Sequence, residues 1–111
     1  MNGPIHIPES DFHRRVDELL AAIERALESA GGDIDTELNG GILTVEFANH
    51  SKVIVNRQTP NREVWVAAKS GGFHFVFDGT GWRDTRSHES LESLLSRVIS
   101  AQSGDVITIT L

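Results

Sequence analysis

The sequence predicts an α+β fold: a two-layer α–β sandwich, with an N-terminal and a C-terminal helix packed side by side on one face of a six-stranded, mainly antiparallel sheet. Three observations carry this. An amphipathic helical repeat opens the chain and another closes it. Six short β-type runs lie between them. Tight turns join those runs, which makes successive strands antiparallel, and two helices with one apolar stripe each cover one sheet face. The 111 residues suit one domain and can bury a core without cross-links.

Residues 1–9 contain Pro4 and Pro8 and show no periodicity, so they are expected to form a flexible lead-in to a single domain over 10–111. Ser10 is the expected N-cap of the first helix, with Asp11 in its first turn. Phe12, Val16, Leu19, Leu20, Ile23 and Leu27 then recur at helical spacing, and Gly31-Gly32 is the stop signal. Residues 33–38 alternate Asp33, Asp35 and Glu37 with Ile34, Thr36 and Leu38, the period of a half-buried strand. Asn39-Gly40-Gly41 is a hairpin signal. Residues 42–47 read as a second strand, Asn49-His50 as a turn and 52–56 as a third strand. Pro60 breaks that run. Residues 63–68 form a fourth strand, and Gly71-Gly72 precedes a fifth at 73–77. Asp78-Gly79-Thr80-Gly81 turns into a short sixth at 82–84. Leu91, Leu94, Leu95, Val98 and Ile99 mark the second helix, capped by Ser87 or Ser90 and ended by Gly104. Residues 106–111 are a β-rich tail able to pack back as an extended segment.

Charge is distributed unevenly. Residues 1–46 hold ten acids and three bases, a net −7, whereas the remainder nets +1, for −6 overall. Such a field draws cations or a basic partner, and it repels nucleic acid and anionic membrane. With no cysteine, disulfides, thiolate metal sites and cysteine nucleophiles are excluded. No apolar run is long enough to span a bilayer and no signal-peptide core is present, so a soluble cytoplasmic protein is expected. There is no GxGxxG, P-loop or HExxH motif, and no spacing assigns a Ser/His/Asp set.

At 100° per residue, His13, Asp17, Glu24 and Glu28 fall on one line flanking the apolar stripe of the first helix. On the first strand Asp33, Asp35 and Glu37 share a side. Were that strand at the sheet edge beside the helix, both acidic rows would merge into one ridge. Crowded carboxylates favour a multivalent cation, and hard oxygen donors suit iron, manganese, magnesium or calcium. An open ridge without a cage binds weakly and at several sites. The same row also fits a solvated face that keeps the protein soluble. His13 and Asp17 are two ligands at most, which suits a helix-surface pair better than a zinc site.

Alternation places Val53 and Val55 of the third strand and Val64 and Val66 of the fourth inward. Ile54, Asn56, Gln58 and Trp65 then face away from the helices, and His74, between Phe73 and Phe75, points the same way. A Trp among polar residues has the composition of a protein-binding hot spot. A register shift by one residue would exchange the two faces. Arg57 and Arg83 are placed to pair with acids or with a partner.

These segments resemble the bacterial frataxin (CyaY) family. The matching stretches are Asp11-Phe12-His13-Arg14, Leu38-Asn39-Gly40-Gly41-Ile42-Leu43-Thr44, Ser51-Lys52-Val53-Ile54-Val55-Asn56-Arg57-Gln58 with Pro60, Val64-Trp65-Val66-Ala67, Gly71-Gly72-Phe73-His74-Phe75 and Trp82-Arg83-Asp84. They run from about residue 10 to the end of the chain. The resemblance implies the α–β sandwich argued above and a small cytoplasmic iron-binding protein of iron–sulfur cluster assembly. It implies ferrous and ferric iron held weakly at the surface by Glu24, Glu28, Asp33 and Asp35, with Asp17 and Glu37 nearby. It implies a cysteine desulfurase docked on the acidic ridge through Glu28, Asp33 and Asp35. It links Asn56, Gln58 and Trp65 to the assembly partners, the scaffold protein among them. A monomer is expected, with oligomers at excess iron.

The sequence departs from the family pattern at two places. Arg25, Ser29, Gly31 and Gly32 stand where further acids are expected, which implies fewer iron ions and weaker binding. Asn49-His50 replaces an Asn-Gly turn, and a non-glycine residue at positive φ is disfavoured. Alternatives to an iron-dependent regulator are a weak ferroxidase or storage protein and a metal-independent interaction module. An efficient ferroxidase needs a preorganised ligand set, so an enzyme is not favoured.

Overall fold

Six apolar positions at helical spacing drive the first element. Helix α1 spans Glu9–Ala30, with Phe12, Val16, Leu19, Leu20, Ile23 and Leu27 buried in one stripe. The computed structural model describes residues 7–30 and 33–111. The greater part of the expected lead-in, residues 1–6, and the Gly31-Gly32 stop lie outside the described residues. The helix starts ahead of the expected Ser10 cap. The Phe12 N–H donates to the Pro8 carbonyl (2.9 Å), so Ser10 sits within the first turn; proline suits a helix start because its missing N–H would have no partner there. Ile7 packs against the core, and its carbonyl accepts from Arg62 Nε (3.2 Å). The packed chain therefore begins before residue 10.

Six strands follow: β1 (Asp35–Asn39), β2 (Ile42–Glu46), β3 (Lys52–Gln58), β4 (Glu63–Ala68), β5 (Gly71–Phe77) and β6 (Trp82–Asp84). They form one sheet in sequential order, every neighbouring pair antiparallel. This is the predicted meander with shifted boundaries: β1 ends one residue later and β2 one residue earlier than expected. Asp33 precedes β1. β3 runs on to Gln58 before a 3-10 turn at Thr59–Asn61 accommodates Pro60. β5 takes in both glycines.

Helix α2 spans Leu91–Ser103. Ser90 is its N-cap, the hydroxyl accepting from the Ser93 N–H (3.1 Å), and Gly104 ends it at φ 82° as a left-handed cap. Leu43, Val45, Val53, Val55, Val64, Val66 and Phe75 face the helices and are buried. The predicted inward sets on β3 and β4 are thus the observed ones. Phe12 of α1 meets Trp82 of β6 edge to face, ring centroids 6.2 Å apart.

The tail forms no strand. It is an extended segment held along α2, as its packing-back reading anticipates. The N–H groups of Ile107, Ile109 and Leu111 donate to Ser100 Oγ, Ser96 Oγ and Glu92 Oε2 at 2.9, 2.8 and 2.8 Å. Four helical residues rise about 6 Å and two extended residues about 6.6 Å, so the two repeats match. At the Asn49-His50 turn, His50 adopts φ 70°. Asn49 anchors that turn: its amide donates to the Gln102 carbonyl (2.9 Å) and its oxygen accepts from the Ser51 N–H (2.9 Å).

Candidate functional site

The acidic residues predicted as one ridge occupy two sides of one sheet edge. β1 is that edge. Asp35 lies opposite Glu46, and Glu37 opposite Thr44. Their neighbours Thr36 and Leu38 pair with the buried Val45 and Leu43. Because side chains alternate, Asp35 and Glu37 point to the sheet face away from the helices. Glu28 is exposed and Glu24 half-buried on α1, in the other layer, and the exposed Asp33 sits just before β1. The expectation of a single merged row is therefore corrected: the carboxylates wrap around the edge. Glu46 belongs to them and was missed by the sequence reading, although the two-residue period from Thr44 carried the signal. It faces Asp35 directly, a like-charge pair that destabilises the sheet locally, and His50 Nδ1 lies 3.5 Å from it.

Asp17 is engaged elsewhere. Arg57 of β3 donates one terminal nitrogen to Asp17 Oδ1 (2.5 Å) and the other to His13 Nδ1 (2.8 Å). His13 Nδ1 therefore accepts, which puts its proton on Nε2, 3.6 Å from Glu9 Oε2. The helix-surface pairing expected of His13 and Asp17 is mediated by Arg57. Among the described residues no group of three or more His, Cys, Asp or Glu side chains is placed to hold one metal ion. The donor set is thus hard oxygen ligands spread along an edge, able to take a cation by charge and by one or two ligands at a time.

The open sheet face carries the second group. Asn56 lies opposite Trp65, and Trp65 opposite His74. Ile54, Asn56, Gln58 and Trp65 are half-buried and His74 is exposed, all on the face away from the helices, where the sequence placed them. Two partners of Trp65 were not foreseen. Its ring stacks on His74 at 4.2 Å with 8° between planes, and its indole N–H donates to Glu63 Oε1 (2.7 Å). Arg83 pairs with Asp78 at 3.4 Å. The alternation that brings Asp35, Glu37 and Glu46 onto this face makes it acidic at the β1–β2 end and aromatic at the β4–β5 centre.

This arrangement has relatives. The frataxin-like domain family matches residues 5–105. The chain belongs to that family. The iron–sulfur cluster assembly protein CyaY of Dechloromonas aromatica is 47% identical over 102 residues, covering 91% of this chain and 97% of that protein. The protein of the same name from Paraburkholderia xenovorans is 48% identical over 99 residues, covering 89% and 94%. Among solved structures, frataxin from Psychromonas ingrahamii superposes with a TM-score of 0.88 at 37% identity, covering 95% of this chain and all of that one. Trimeric frataxin from Saccharomyces cerevisiae, complexed with ferrous, gives a TM-score of 0.67 at 26% identity, covering 95% and 94%. The meander with two helices on one face is thus the frataxin fold. In this frataxin-like chain the tail residues 106–111 follow the matched domain, and no helix among the described residues is long and apolar enough to cross a membrane.

Proposed function

We propose that this chain is an iron-binding adaptor of iron–sulfur cluster assembly. Iron is its cargo. Fe(II) and Fe(III) associate weakly with Glu24, Glu28, Asp33, Asp35 and Glu37 around the β1 edge, and the cysteine desulfurase docks on the same edge. The face bearing Asn56, Gln58 and Trp65 meets the scaffold protein. The chain acts in the cytoplasm and modulates the desulfurase–scaffold complex without being an enzyme. The observation that carries this reading is the register of β1. Asp35 and Glu37 share the open face with Trp65, while Glu28 lies exposed in the helix layer, so iron occupancy at the edge alters the charge a partner meets on both layers. Spread carboxylates of this kind release iron readily, which fits a carrier better than an oxidation centre.

The test is cluster formation by a cysteine desulfurase on a scaffold protein, with and without this chain, across ferrous iron concentrations. An iron-dependent change in rate is expected. A rate unaffected at every iron level would overturn the assignment.

A further inference from the structure

A single carboxylate oxygen serves two rings on the open face. Glu63 Oε1 accepts the Trp65 indole N–H at 2.7 Å and lies 3.8 Å from His74 Nδ1. The stack of His74 on Trp65 closes the triangle. All three residues come from adjacent strands β4 and β5, with Trp65 and His74 directly opposite in register. We propose that His74 is a protonation-sensitive positioning residue for Trp65, tuning the open face toward a basic partner segment.

The chemistry follows from the contacts. With His74 neutral, two aromatic faces lie flat and Glu63 engages the indole alone; the trio carries one negative charge. Histidine is the side chain that changes charge between about pH 5 and 8. A proton on His74 sets a cation on the indole face, an attraction specific to the charged form. It also turns Nδ1 into a donor toward the oxygen the indole holds. The indole N–H then shares its acceptor, and the trio becomes neutral.

The carboxylates around His74 other than Glu63 are already committed. His74 lines a groove of about 280 Å³ with Asp84, Arg86, Glu89 and Arg97. Asp84 is buried and accepts the Arg86 and Ser87 N–H groups at 2.7 and 3.2 Å. Glu89 and Arg97 close on each other at 2.9 Å. Arg83, beside Val76 on the same face, is paired with Asp78. Glu63 is therefore the carboxylate that answers His74. On the rest of this face Asp35, Glu37 and Glu46 outnumber Lys52, which lies opposite Glu46, and leave it complementary to a basic segment, so neutralising the trio weakens docking. This step rests on the reading of the face as a docking surface for an assembly partner.

Proton and nitrogen NMR of the full chain between about pH 8 and 5.5 reads the His74 ring and the Trp65 indole N–H together. One shared midpoint is expected. His74→Phe keeps a ring on Trp65 without a titrating group, and its indole signal should be flat. An indole signal flat in the unaltered chain, or equally mobile in His74→Phe, overturns the proposal. Binding to a purified desulfurase–scaffold complex should weaken up to about fivefold across the same range and depend less on pH in His74→Phe, in which His50 still lies beside Glu46. Equal pH dependence in both chains overturns the proposal as well. Should no complex form at any pH, the docking reading fails on its own, and the NMR result decides the role of His74.

Discussion

Arg57 ties the sheet to the helix layer by donating to Asp17 Oδ1 at 2.5 Å. The Arg57 side chain is largely buried, 16% exposed, whereas that of Asp17 is 68% exposed. Gly41 gives it room, since a Cβ there would stand 3.3 Å from Arg57 Nε. The Asp17 carboxylate is thus neutralised before any metal arrives. Asp17→Asn should lower stability by about 1 kcal/mol, the scale of one hydrogen bond to a charged group discounted for exposure. It should leave the Fe(II) dissociation constant within about twofold. Urea denaturation and anaerobic iron titration check both; a loss of iron as large as that of a Glu28 variant would show that Asp17 abandons Arg57 for metal.

Reversing charge at Glu28, Asp33 and Asp35 should weaken iron binding and desulfurase binding together, each by about tenfold or more. All three side chains are exposed, and removing crowded negative charge relieves repulsion, so the circular dichroism spectrum and thermal midpoint should hold. Unchanged affinity for both ligands in the triple variant would remove the β1 edge from the function.

Much of this was legible in the sequence because two periods dominate it. The 3.6-residue repeat from Phe12 to Leu27 and the two-residue repeats at Val53/Val55 and Val64/Val66 assign buried sides with no knowledge of neighbours. That logic placed Trp65 and His74 on the open face. It could not place Asp35 and Glu37 relative to Glu28, because a helix and a strand adjoining in sequence can present acids to different layers. That depends on which strand face meets the helices. The Arg57 clamp on Asp17 and His13 was hidden for the same reason: its partners lie 40 and 44 residues away. The Ser10 cap failed because a carbonyl, that of Pro8, starts the helix, and every residue has one.

Trp65→Ala removes the His74 stack and leaves Glu63 without its indole donor. The side chain lies on the open face outside the core, so the fold should survive at a cost of about 1 kcal/mol, the worth of an aromatic pair. Iron affinity should not change, because the edge carboxylates are untouched. Association with the assembly complex should fall at least about tenfold, as for a central aromatic anchor. Isothermal titration with iron and with the partner complex separates the two effects. An unfolded variant would make Trp65 part of the core.

Acid should destabilise the fold through two identifiable carboxylates. The Asp78 carboxyl is held at about 2, below its ordinary 3.8, chiefly by the Thr80 N–H, then by the Gly81 N–H and the Thr80 hydroxyl. Glu89 is lowered as well, first by its bond from Arg97 and further by the Ser93 hydroxyl. Both folded values lie below those of the unfolded chain. Their stabilisation is therefore complete above the ordinary carboxylate range and is lost as pH falls through the folded values. Urea midpoints measured from about pH 5 to 2 should decline. Asp78→Asn, whose amide oxygen can still accept in the turn, should flatten the lower part of that decline; an unaltered slope would assign it to other groups.

The tail lies beyond the matched domain yet contributes to the core. Ile109 is 3% exposed, whereas Val106, at the tail's beginning, is 95% exposed. The segment is held at every second residue by Ser100, Ser96 and Glu92, which fixes its register against α2 and hence the inward aim of Ile109. Ile109→Ala should cost about 2–4 kcal/mol, the range for a buried isoleucine that leaves a cavity, and lower the thermal midpoint by several degrees. Val106→Ala should change neither. Ser96→Ala should fall between them, at about 1 kcal/mol, because it strips the Ile109 N–H of its acceptor while the packing remains. Calorimetry of the three variants decides the matter: equal midpoints for Ile109→Ala and Val106→Ala would mean that the tail is a passenger on α2 and that the core closes without it.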